Sequence, residues 1–310
     1  MSGVQRAPMV PNVCATGHFG VACLGIHSPY THQSNIAIDC YYNSYYYYHS
    51  YIKIGAAPMN LHVPDYLFSF IDVASLSLVV GVLSLIWLAT IRMESRWRER
   101  VGTAGILSFA LLGWYAAAYY IGWQNVFWAP DDTAVPIILL GILCPIIIGL
   151  LFLSRSEGFA RLLDALPLSW LVGIQVYRVL GFMFLVLWWG GHLPWQFALP
   201  AGIGDIAVGV FAAVAACMLI VNASYSHSAA YAWCLFGIAD LVVAVTMGAL
   251  TSPGIIHFMA LDAPNMLITA YPLVMIPIFA VPVSIILHGL CLWKLRRFHA
   301  DVRTSEAVRA

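Results

Sequence analysis

From Tyr66 onward, long apolar runs alternate with short polar breaks, and the runs have the length that crosses a bilayer. A helix needs about 20 residues to cover the hydrocarbon core. By that rule spans are expected at 67–92, 103–123, 135–154, 169–190, 198–221, 229–251 and 267–293. The pattern therefore predicts an all-α, polytopic bundle of seven transmembrane helices. A further short helix over 157–168 is expected to lie in the membrane plane, with Phe159, Leu162 and Leu163 towards lipid and Arg161 towards water.

The breaks carry the orientation. Arg92, Arg96, Arg98 and Arg100 follow the first span, Arg155 and Arg161 the third, and Lys294, Arg296, Arg297 and Arg303 the seventh. The intervening loops, WQNVFWAPDDTAVP, HLPWQFALP and TSPGIIHFMALDAPNM, contain no Lys or Arg. Positive residues stay on the cytoplasmic side, so the N-terminus is expected outside and the C-terminus inside. Trp123, Trp128, Trp188, Trp189 and Trp195 mark the outer boundary, and Trp87, Trp97 and Trp293 the inner one.

Residues 1–58 break the pattern: they are polar, rich in His, Asn, Ser and Tyr, and end in DCYYNSYYYYHSYIKI. Two readings stand, a disordered low-complexity arm or an over-extended start whose natural initiator is Met59, and the membrane-like run after Met59 favours the second. The expected organisation is thus this arm, a transmembrane domain over 59–295 and a basic cytoplasmic tail over 296–310.

Composition agrees with the class. Charged residues are 9% of the chain and hydrophobic ones 62%, whereas a soluble domain carries about a quarter charged residues. Net charge is +0, which suggests no nucleic-acid partner. The expected surroundings are a lipid bilayer, taken to be a bacterial cytoplasmic membrane, with self-association into a homo-oligomer open. Cys144, Cys217, Cys234 and Cys291 read as buried, inert thiols, and Cys14, Cys23 and Cys40 match no metal spacing.

Three spans each hold an ionisable side chain deep in an apolar run: Arg178 in the fourth, Asp205 in the fifth and Asp240 in the sixth. Such groups are costly in hydrocarbon unless they pair or meet water, so the three are expected to face one another. At α-helical spacing Gln175, Arg178 and Phe182 share a face, with Tyr177 and Gly181 beside it. Gly209, Ala213 and Cys217 follow Asp205 at steps of four, a small-residue stripe that admits a neighbouring helix. Arg178 and Asp240 read as mid-membrane, and Asp205 as about two turns below the outer surface. Asp72 in the first span adds a third acid. One guanidinium for several carboxylates leaves at least one needing a proton, a hydrogen-bond partner or water.

Pro272, Pro277 and Pro282 interrupt the seventh span ahead of Ser284 and His288. Each Pro frees a carbonyl that could line a cavity or form a hinge. No two membrane-embedded His stand at matching depth for haem, and no cofactor is expected. An outer metal site from His192, His257, Asp131 and Asp132 is geometrically open but disfavoured, since loop His and Asp are more often solvated. The last span lacks the Lys of a retinal protein, and nucleotide and hydrolase motifs are missing.

Three function classes follow. The leading one is a small-solute or proton-coupled transporter using Arg178, Asp205 and Asp240, with Gln175, Tyr177, Asp72 and His288 along the pathway. The second is a non-catalytic assembly protein whose Arg/Asp cluster only sets helix packing. The third, an enzyme or redox subunit at the outer face, lacks any catalytic signature.

Overall fold

The computed structural model describes residues 63–128 and 134–309, with side chains over 63–128 and 137–297. The chain divides into two units, residues 1–49 and 50–310, and everything described lies in the second. The N-terminal arm, Met59, Cys14, Cys23, Cys40, His62, Asp131 and Asp132 lie outside the described residues.

All seven apolar runs are helices long and apolar enough to cross a membrane, and no strand occurs among the described residues. They are α1 (Tyr66–Arg92), α2 (Trp97–Trp123), α3 (Ala134–Arg155), a broken fourth span, α7 (Trp195–Ile220), α8 (Ser226–Thr251) and a seventh ending in α9 (Val281–Arg309). Helices of this length and composition are compatible with an integral membrane protein. A 27-residue helix such as α1 is about 40 Å long. Three of the helices end in the same way. After α2, the fourth span and α7, a residue at positive φ (Asn125, Gly191 and Asn222) lets two amides bond back to the last turn. Gly and Asn tolerate that left-handed geometry, which caps the carbonyls a helix would otherwise leave bare.

The fourth span departs from a plain α-helix. It runs as α5 (Leu168–Gly173), a 3-10 stretch over Ile174–Gly181, and α6 (Phe182–Trp189). Three residues per turn replace 3.6, so side chains three apart eclipse. The inward row is therefore Gln175, Arg178 and Gly181, not the expected Gln175, Arg178 and Phe182; Phe182 points outward. Gly209 of α7 explains how tightly this stretch is held. A β-carbon there would come within 2.6 Å of the Val179 backbone nitrogen.

The seventh span also starts differently. Leu267–Thr269 is a single 3-10 turn, Tyr271–Pro272 is a cis peptide, and a π-turn over Ile276–Ala280 precedes α9. The spanning helix is thus 276–297 rather than 267–293. Pro272 and Pro277, which cannot donate, fall in that irregular start, and Pro282 in the first turn of α9. This span is the most enclosed, 61% buried against 11% for α2, so it forms the axis of the bundle.

Residues 157–165 form the expected short helix, α4 (Glu157–Ala165), with the Ser156 hydroxyl capping the Phe159 amide. Its apolar face is not turned to lipid. Phe159, Leu162 and Leu163 are buried in the main core, because the helix folds under the bundle and is clamped to α9. Lys294 Nζ donates to the Leu163 and Asp164 carbonyls at 2.8 and 2.9 Å, and Arg297 pairs with Asp164 at 2.7 Å. Arg92 lies over the Trp170 ring at 4.3 Å, and Arg161 is 3.8 Å from Glu99. These contacts gather the basic residues at one end of the bundle, hereafter the basic end.

Cys234 and Cys291 are buried as expected, but Cys144 and Cys217 are exposed. For Cys217 the reason is geometric. Steps of four advance about 400°, so a stripe spaced by fours drifts about 40° per step around the helix. The buried face of α7 instead follows Val208, Gly209, Ala212, Ala215 and Ala216, and Ala213 turns outward. Between α2 and α3 lies an apolar cavity of about 650 Å3, walled by Leu111, Trp114, Cys144, Phe152 and Ile286 among others.

Candidate functional site

Arg178, Asp205 and Asp240 meet. Arg178 Nε donates to Asp205 Oδ1 at 2.7 Å, and Nη2 lies 2.6 Å from the same oxygen. Nη2 also pairs with Asp240 Oδ2, and Nη1 donates to the Gly237 carbonyl at 3.3 Å. One guanidinium thus bridges α7 and α8 from the fourth span. α7 begins three residues earlier than the pattern implied, which puts Asp205 about 15 Å along its helix and level with the other two.

Small residues make the meeting fit. A β-carbon on Gly204 would collide with the Asp240 carboxylate, one on Gly181 with Asp205, and one on Gly237 with the His288 ring. The sequence showed these glycines, but only the pairing of helices reveals which side chain each accommodates.

Around the bridge stands a second layer. Tyr177 Oη bonds to the Ser284 hydroxyl and donates to the Ala280 carbonyl at 3.2 Å. Gln175 Nε2 donates to the Ser284 carbonyl at 3.1 Å. The accepting carbonyls are those of the last residue of the π-turn and of the first turn of α9. Ser284, read from the sequence as one turn before His288, is the residue these two side chains meet. His288 is fully buried, its ring 4.7 Å from that of Trp233. Both His288 nitrogens and Gln175 Oε1 are buried without a protein hydrogen-bond partner among the described residues.

A cavity of about 130 Å3 stands on this cluster. Arg178, Asp205, Tyr177 and Ser284 line one end, and Ser252 and Thr269 the other. The walls between are apolar: Phe70, Ile142, Phe184, Phe197 and Ala244 among others. The lining runs along α8 from Leu241 to Ala249 and on to Ser252 just past its end, so the cavity extends away from the basic end. Of the two carboxylates, Asp205 is the more open, its side chain 18% exposed against 6% for Asp240.

Asp72 is not brought to Arg178. Tyr271 Oη donates to Asp72 Oδ1 at 3.2 Å and lies 3.0 Å from the Tyr119 hydroxyl. The Tyr271 amide is held by Asn125 Oδ1 at 3.0 Å. Burial, with the Tyr119 contact next, drives the Tyr271 phenol well above its ordinary pKa, so it stays a donor to the carboxylate. This is a separate polar knot joining α1, α2 and the approach to the seventh span. Of the outer metal candidates, His192 and His257 are in loops and Asp131 and Asp132 fall outside the described residues. Among the described residues, no three His, Cys, Asp or Glu group as metal ligands would.

The family described as Domain of unknown function (DUF8737) matches residues 133–296, a little over half of the chain and the part that holds Arg178, Asp205, Asp240 and His288. No curated protein and no solved structure matches the chain.

Proposed function

The chain belongs to the family described as Domain of unknown function (DUF8737), and from its geometry we propose that it moves a small solute across a membrane with proton coupling. The observation that carries this reading is the cavity ending on the Arg178 bridge, with Asp205 the carboxylate reached from it. A buried ion bridge of this kind is expensive, and in membranes it marks pathways more often than not. Protonating Asp205 removes one of the two anions sharing Arg178. The guanidinium then rests on Asp240 and the Gly237 carbonyl, and α7 loses its ionic tie to the fourth span. Gln175 and His288, with buried polar atoms lacking protein partners, continue the polar line past the bridge.

The distribution of Arg and Lys supports the cavity end as the outside and the basic end as the cytoplasm, in the cytoplasmic membrane of a bacterium. The test is proton flux in liposomes loaded with a pH-sensitive dye. The wild-type protein is expected to pass protons when a solute gradient is applied, and Arg178→Gln and Asp205→Asn, though less stable, to fold but not to couple. Folded variants with unaltered flux would reject the reading.

A second reading is favoured by the glycine contacts. Gly181, Gly204, Gly209 and Gly237 close tightly around the bridge, as helix–helix glue does. On that reading each single charge removal destabilises, the double removal Arg178→Gln with Asp240→Asn recovers stability, and no flux is seen in any form.

A further inference from the structure

We infer that the cavity above Arg178 binds a small amphipathic cation, a protonated amine or quaternary ammonium group on an apolar body. This deepens the transport reading of the same site and rests on it.

The charge balance comes first. Two carboxylates share one guanidinium, so the floor of the cavity carries a formal charge of minus one when both are ionised. All three nitrogens of Arg178 are bonded within the protein. An anion entering the cavity would have to displace an aspartate to reach it. A cation meets no such competition. Asp205 Oδ1 takes the guanidinium, while Oδ2 has no hydrogen bond among the described residues and its side chain is the exposed member of the bridge. A carboxylate left short of positive charge in a low-dielectric site is stabilised by whatever cation reaches it.

The walls fit the same ligand. Phe70, Phe184 and Phe197 line the cavity, with Phe184 and Phe197 edge to face at 5.2 Å between ring centroids. Aromatic rings attract quaternary ammonium groups through their quadrupole. Hydroxyls are few, Ser75, Tyr177, Ser252, Thr269 and Ser284, so a strongly polar solute such as a sugar would leave most of its groups unpaired. At about 130 Å3, the space takes a molecule of roughly ten heavy atoms, taking 10–15 Å3 for each water-sized sphere.

The proton is then the competitor. The charged and titratable groups facing Asp205 are Arg178 and Tyr177 from the fourth span and Asp240 from α8, with His288 beyond Gly237. A proton on Asp205 removes the same negative charge that holds the cation. Entry of one cation into a site protonated at Asp205 therefore releases that one proton to water, and charge balances. The coupling is exchange.

Titration calorimetry on the full chain in detergent, with protein-free micelles subtracted, decides it. The probes are benzyltrimethylammonium, its neutral isostere neopentylbenzene, and phenylacetate. The cation is expected to bind about tenfold or more tightly than the isostere, and to weaken as the pH falls. Asp205→Asn is expected to erase that preference, and Ala244→Trp, which fills the cavity, to erase binding of both. Equal affinity for cation and isostere, or tightest binding of phenylacetate, would overturn the proposal. If Asp205→Asn does not fold, the comparison of probes on the wild-type protein still decides. Cation binding without proton flux in liposomes removes the transport reading and leaves the site; flux without cation preference does the reverse.

Discussion

Gly204 of α7 sits so close to the Asp240 carboxylate of α8 that no β-carbon fits between them. The carboxylate is held by Arg178 from its other side and has nowhere to retreat. Gly204→Ala is therefore expected to lower stability by about 1–3 kcal/mol, the range for overpacking a close contact. Thermal unfolding in detergent measures it, and a neutral result would mean the two helices slide apart freely.

The bridge is the next place to cut. Arg178 and Asp240 are 3% and 8% exposed, and removing Arg178 strands two carboxylates, whereas removing Asp240 leaves Arg178 paired with Asp205. Arg178→Gln should cost about 3 kcal/mol and Asp240→Asn clearly less. A double-mutant cycle is expected to show coupling of at least about 1 kcal/mol, since the residues touch. Additive effects would argue that the contact is not made in the folded protein.

The knot at Asp72 is expected to behave independently. Tyr271→Phe removes the donor to Asp72 Oδ1 and should cost about 1–2 kcal/mol, as loss of a partner to a charged group does. Combined with Arg178→Gln the effects should add within about 0.5 kcal/mol, because the two sites share no partner. Larger coupling would mean the two acids belong to one network after all.

Helix α4 offers a contrast between burial and charge. Phe159 is 5% exposed and packs in the core, so Phe159→Ala should cost about 3 kcal/mol or more. The Arg297–Asp164 pair is half in solvent, so Asp164→Asn should cost about 1 kcal/mol or less and fade in high salt. Unfolding midpoints of the two variants test this; a neutral Phe159→Ala would return that face to the lipid.

Those expectations show where the sequence was legible. Seven spans were readable because apolar length is a one-dimensional property. The meeting of Arg178 with Asp205 and Asp240 was readable because isolated charges in apolar runs have few other partners, although Asp205 read as nearer the outside until the true start of α7 was seen. What remained hidden depends on three-dimensional pairing. Gly181 joins the inward row only because the fourth span tightens to three residues per turn. Phe159 looked like a lipid-facing residue because an amphipathic helix carries the same pattern whether its apolar face meets lipid or protein. Asp72 looked like a member of the cluster because its depth was legible and its helix's neighbours were not.

The ion bridge also has a consequence for how the chain is made. Arg178 precedes Asp205 by 27 residues and Asp240 by 62. During synthesis the fourth span reaches the bilayer with its guanidinium bare, gains its first counter-charge when α7 follows, and its second only when α8 arrives. Until α7 arrives the growing chain carries an unpaired positive charge in apolar surroundings, which is costly. A chain ending before Asp205 therefore leaves Arg178 without a counter-charge, and one ending before Asp240 leaves it with a single carboxylate partner.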